Sequence, residues 1–224
     1  MELFKQVGIC QHILHISGFV VALTVLSRNE NIPKYMKTFF YYPLGAFTMS
    51  LLYIFSEHIK LIPLSLYSTI NNLSVIFHFA FLGKYIISFC TTEKNKKIST
   101  IVFFVILVSV IACLSMKQIN VGNKLALGIA NSGLVILCLL YYQSLLKDES
   151  GSALTKEPFF WIVNGIFLGM VVNVPAYLTR DFLSKEASYE LWSLLYIFCV
   201  AAYVIMHSFF IKAYLCTIRP NKFL

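Results

Sequence analysis

Three features of the sequence predict an all-α membrane protein, a seven-transmembrane-helix bundle with its N-terminus outside and its C-terminus cytoplasmic. The first is composition: 58% of the 224 residues are hydrophobic, 16% aromatic and 12% charged, with a mean hydropathy of +0.76. A soluble domain carries roughly a quarter charged residues. The second is the recurrence of apolar runs near the length of about 20 residues needed to cross hydrocarbon, at roughly 8–27, 38–57, 64–91, 99–116, 124–146, 158–179 and 189–217. The third is the uneven placement of the bases between those runs. Together they make residues 1–224 a single transmembrane domain, because no connection is long enough for a soluble one.

Span one follows Lys5 and resembles a signal peptide only at first glance. Gln11, His12 and His15 interrupt its apolar stretch, and no small-x-small cleavage pattern follows Val25. Pro33 and Pro43 bracket the first connection, span two ends at Glu57-His58, and Pro63 precedes span three. Span four follows the basic group Lys94, Lys96 and Lys97; span five ends at Tyr141-Tyr142. The stretch Asp148-Glu149-Ser150-Gly151-Ser152 separates it from span six, whose first turn holds Pro158. Span seven runs to Lys212 and beyond.

Orientation follows from Lys and Arg. The connections after spans one, three and five and the C-terminal end hold eleven: Arg28, Lys34, Lys37, Lys94, Lys96, Lys97, Lys147, Lys156, Lys212, Arg219 and Lys222. The other side holds six: Lys5, Lys60, Lys117, Lys124, Arg180 and Lys185. Lys84, in the inner third of span three, can snorkel to cytoplasmic headgroups. The net charge of +8 thus follows a membrane rule and gives no reason to expect nucleic acid as a partner. Tyr41, Tyr42, Tyr141, Tyr142 and Trp161 suit the inner boundary and Trp192 the outer one.

Polar side chains in hydrocarbon are costly and turn toward neighbouring helices or a wet cavity. Tyr67, Asn71, Ser74, His78 and Tyr85 share a face of span three, and Tyr196, Tyr203, His207 and Tyr214 share one of span seven. His12 and His15 share a face of span one. With Glu57 and Asn72 in the outer half, these residues suggest an outward-facing polar pocket between spans one, two, three and seven, with His78 at its floor and Glu57 at its rim. The ligand-binding candidates are His12, His15, Glu57, Asn71, Asn72, His78, Tyr203 and His207. The bland alternative is that they hydrogen-bond one another to fix helix register, at about 0.6 kcal/mol each. On span six, Gly165, Gly169 and Asn173 form a small-residue groove ahead of Pro175, which reads as close helix packing or as a hinge where the proline kinks the span.

Several function classes lose support. Cys113, Cys138, Cys199 and Cys216 lie in or at the ends of apolar runs without C-x-x-C or zinc-type spacing, so they read as buried thiols, and no metal or cofactor is expected. Span seven lacks a central lysine for a retinal Schiff base. No span has the Asp that ceramidase-like hydrolases need, nor the mid-membrane carboxylate common in coupled transport.

Three stretches, Asn71-Asn72-Leu73 through His78-Phe79 to Phe81-Leu82, Tyr141-Tyr142 with Leu145-Leu146, and Glu157-Pro158-Phe159-Phe160-Trp161-Ile162 with Gly165, carry a resemblance. Together with the seven-span layout, the chain resembles a largely uncharacterised group of small seven-helix integral membrane proteins of Bacteroidetes-type bacteria, often beside or fused to two-component signalling proteins. That resemblance implies a bacterial inner membrane location and a sensing role, and it supplies no catalytic residues. The leading expectation is a sensor or receptor-like module that binds a small ligand or lipid and signals to a cytoplasmic partner. A carrier for a small neutral or lipidic molecule comes second. An intramembrane enzyme using His78 and His207 comes third, with no nucleophile or metal set to support it.

Overall fold

The computed structural model describes the backbone of residues 2–29, 32–57, 63–116, 124–147, 154–186 and 189–218, and most of their side chains from His12 onward. Every α-helix or turn of helix among them belongs to one bundle: α1 (Glu2–Arg28), α2 (Lys34–Phe39), α3 (Tyr41–Glu57), α4 (Leu64–Ile87), α5 (Glu93–Met116), α6 (Lys124–Leu145), α7 (Pro158–Glu186) and α8 (Tyr189–Ile218), with a 3₁₀ turn at Leu154–Lys156. No strand occurs among the described residues. Six stretches are long and apolar enough to cross a membrane, namely Lys34–Ser56, Ser68–Ile87, Glu93–Met116, Lys124–Leu145, Pro158–Thr179 and Leu194–Thr217; His12–Arg28 is apolar but shorter.

Boundaries differ from the sequence expectation in several places, beginning with α1, which starts at Glu2 and not near residue 8. Span two is broken at Phe40 into α2 and α3, so the run expected at 38–57 takes in the end of one helix and all of the next. The third run ends at Ile87, where Phe89 and Cys90 close tight turns onto the carbonyls of Ile86 and Ile87. Span four begins six residues before the expected Ser99, because Glu93 suits the electropositive first turn. Buried Asn95 donates from Nδ2 to the Leu140 carbonyl of α6 at 3.1 Å and anchors that turn. In α7 the helix continues past Pro175 to Glu186.

The outer surface fits hydrocarbon better than water. On α5, Ile101, Phe104, Val105 and Val108 recur at helical spacing and are 64, 56, 60 and 64% exposed. The interior is built from small residues and aromatic rings. Gly165 and Gly169 of α7 form a groove for Met206 of α8: a Cβ added at Gly165 would lie 2.9 Å from the Met206 carbonyl oxygen, and one at Gly169 3.1 Å from the Met206 side chain. Asn173, the third residue of that stripe, donates from Nδ2 to the Gly169 carbonyl at 2.7 Å. The helix α7 packs closely along α6 and α8 to form a block with them, whereas α3 touches its neighbours sparingly and forms a looser wall.

Candidate functional site

A cavity of about 1090 Å³ lies between that block and α3. Its walls come from α1 (His12, His15), α3 (Tyr41 to Leu52), α4 (Ile70 to Phe81), α6 (Lys124, Leu127), α7 (Tyr177) and α8 (Tyr196, Tyr203). At about 30 Å³ per water molecule it has room for dozens of them, and it slightly exceeds the usual range for small-molecule pockets, roughly 300–1,000 Å³. From Ile70 to Phe81, at 1.5 Å per residue, the α4 wall is about 16 Å long. That matches one leaflet of a hydrocarbon core about 30 Å thick.

Helical periodicity explains which residues reach it. Asn71, Ser74, His78 and Phe81 fall on one side of α4 and line the cavity. Asn72 is the next residue along and turns about 100° away; it is 2% exposed and lies outside the lining. That corrects the expectation that both asparagines face the pocket. His207 is also displaced from the lining. It is buried behind His15, with the two rings stacked at 4.8 Å and 29°, so the α8 stripe faces inward but only Tyr196 and Tyr203 reach the space. The side chain of Glu57 and the whole of His58 lie outside the described residues.

A chain of contacts joins the walls. His15 shares a 2.7 Å hydrogen bond between its Nδ1 and Ser50 Oγ, linking α1 to α3. Its edge-on neighbour His12 has its ring centroid 6.4 Å away. His207 donates from Nδ1 to the Tyr203 carbonyl at 3.1 Å, which leaves Nε2 as the acceptor of a neutral ring. Tyr177 and Tyr203 hydroxyls meet at 3.5 Å and tie α7 to α8. Below, Tyr42 packs against His78 at 5.4 Å and edge-on against Phe210 at 5.5 Å, above a cluster of Phe39, Tyr85 and Tyr214. This aromatic layer is the floor. Sequence reading missed Ser50, Tyr42, Tyr177 and Lys124 as lining or supporting groups; only their polarity inside apolar runs hinted at a role.

The chemistry of the site is that of neutral hydrogen bonding. Among the described residues Lys124, at the first position of α6, is the sole formally charged group in the lining. Among the described residues no three His, Cys, Asp or Glu side chains are grouped to hold a metal ion. The pair His15 and His207 stacks face to face and does not converge its nitrogens on a point. An ionised group at the middle of a membrane helix costs about 2.5–3.5 kcal/mol on insertion scales. Three hydrogen bonds of about 0.6 kcal/mol each would not offset that.

No protein-family model, no curated protein and no solved structure matches this chain.

Proposed function

We propose that the chain is a seven-span membrane protein, its N-terminus outside and its C-terminus cytoplasmic, that acts as a sensor or receptor-like module. A small ligand or lipid enters the cavity and shifts α3 against the α6–α7 block. The change is read by a cytoplasmic partner at the basic connections. The observation that carries this reading is the large cavity with polar groups at its centre and a loosely packed wall on one side. A ligand shifts a two-state element only through contacts that differ between the states, and α3 is the wall best placed to supply such a difference. A bacterial inner membrane location and a signalling partner are drawn from the resemblance to the seven-helix Bacteroidetes-type proteins. In a sensor, photoreactive residues at positions 94–97 or 147–156 crosslink to a specific signalling protein in cells. If the purified chain alone moves labelled lipid across liposomes and no such partner is captured, the carrier reading replaces this one.

A further inference from the structure

The cavity reaches the surface of the bundle along the seam between α3 and α4. Leu73 and Phe77 line it and are nevertheless 55 and 50% exposed. The two helices close on each other at Gly45, where an added Cβ would lie 3.5 Å from Phe77 Cε1. A ligand using this mouth comes from the hydrocarbon side.

Inside the mouth, hydrogen-bonding groups are left unspent. Among the described residues the ring nitrogens of His78, the Tyr42 hydroxyl and the Asn71 carboxamide make no hydrogen bond to protein, although all three residues line the cavity and Tyr42 is only 7% exposed. Ser74 donates its hydroxyl to the Asn71 backbone carbonyl and keeps its lone pairs for another donor. All three face the open space of the cavity, so their convergence marks a place where a polar group from outside the chain can bond. His78 is fourteen residues from Leu64 and nine, about 14 Å, from Ile87, near the middle of α4. At mid-helix an ionised head would have to shed its water, and the charged group found in the lining among the described residues, Lys124, sits at the first position of α6 and not in the aromatic layer with His78 and Tyr42.

The geometry points to an uncharged single-chain amphiphile as the ligand, its hydrogen-bonding head at His78 and Tyr42 and its acyl chain leaving between α3 and α4. This rests on the cavity being the binding site proposed above. The imidazole and phenol can each donate or accept, which suits a hydroxyl or ester head such as that of a monoacylglycerol. The apolar mouth suits the chain.

The test uses the full chain in lipid nanodiscs and a diazirine-bearing monoacylglycerol, competed by monoolein, oleate or oleoyl-lysophosphatidylcholine, which share one acyl chain and differ only in the head. Saturable labelling is expected at α3 and α4 residues around Phe77, with monoolein competing at least ten-fold better than the other two. Tyr42→Phe and His78→Leu should each weaken monoolein about five-fold, as expected for one neutral hydrogen bond. Tyr42→Phe loses only an unbonded hydroxyl and keeps its thermal stability. Saturable labelling competed as well by oleate, or untouched by both substitutions, would overturn the neutral-head assignment and leave the pocket standing. Labelling that does not saturate anywhere in the cavity would overturn both.

Discussion

Replacing Gly165 by alanine places a methyl group 2.9 Å from the Met206 carbonyl oxygen and 2.9 Å from Phe209 Cβ. Neither atom can swing aside, since one is backbone and the other is the first carbon of its side chain. Ordinary contact begins near 3.4 Å, so α7 and α8 must part by several tenths of an ångström. Overpacking of this kind costs about 1–3 kcal/mol, against which alanine returns at most about 1 kcal/mol of helix propensity. The net loss, roughly 0–2 kcal/mol and about 1 kcal/mol at the middle of that range, lowers the Tm by about 2–4 °C for a chain of this length. The control is Gly169→Ala, whose new methyl meets the Met206 side chain at 3.1 Å. The sulfur end of that side chain can give way although its Cβ, also at 3.1 Å, cannot, so the net loss should be smaller than at Gly165. Thermal unfolding of both variants in mild detergent reads the difference. A Gly165→Ala protein at least as stable as the parent, or Gly169→Ala the worse of the two, would refute the close approach of α7 and α8.

Other substitutions test other parts of the structure. Ser50→Ala removes the partner of His15 between α1 and α3 and should cost about 0.6 kcal/mol, seen as a fall in Tm of a degree or two; a larger loss would mean that Ser50 has a further role. Val105→Arg puts a charge on the exposed apolar face of α5. In a bilayer it should cut insertion by about 2.5–3.5 kcal/mol of bias, read by protease protection of membranes, whereas a water-facing surface would accept it without effect. Reporter fusions after residues 30, 95 and 150 should report the cytoplasm and those after 60, 120 and 187 the outside; an inverted or irregular pattern would reject the proposed topology.

Much of the bundle was legible because hydrocarbon imposes a simple rule on length and polarity. The apolar runs located the helices, and the stripes on the third and seventh runs identified the inward faces of α4 and α8. The break at Phe40 was marked by Pro43, which has no N–H to offer the Phe39 carbonyl four residues back, but that proline was read only as an edge of the first connection. The early start of α5 depends on a hydrogen bond from Asn95 to Leu140 that no local pattern records. Asn72 was grouped with Asn71 by depth alone, although six helical steps place it about 120° around α4 from His78 and outside that stripe. His15 and Ser50 are 35 residues apart and meet only because α1 packs on α3. Likewise, the contributions of Lys124 and Tyr177 depend on how α6 and α7 close around the space.

Native mass spectrometry of the full chain beside Ser74→Trp, which puts an indole into the cavity, is the shortest route to a decision. Wild type should leave gentle detergent with one lipid-sized adduct that is missing from the variant, while both unfold at the same temperature. Equal adducts on the two proteins, or none on either, would contradict a ligand site inside the bundle.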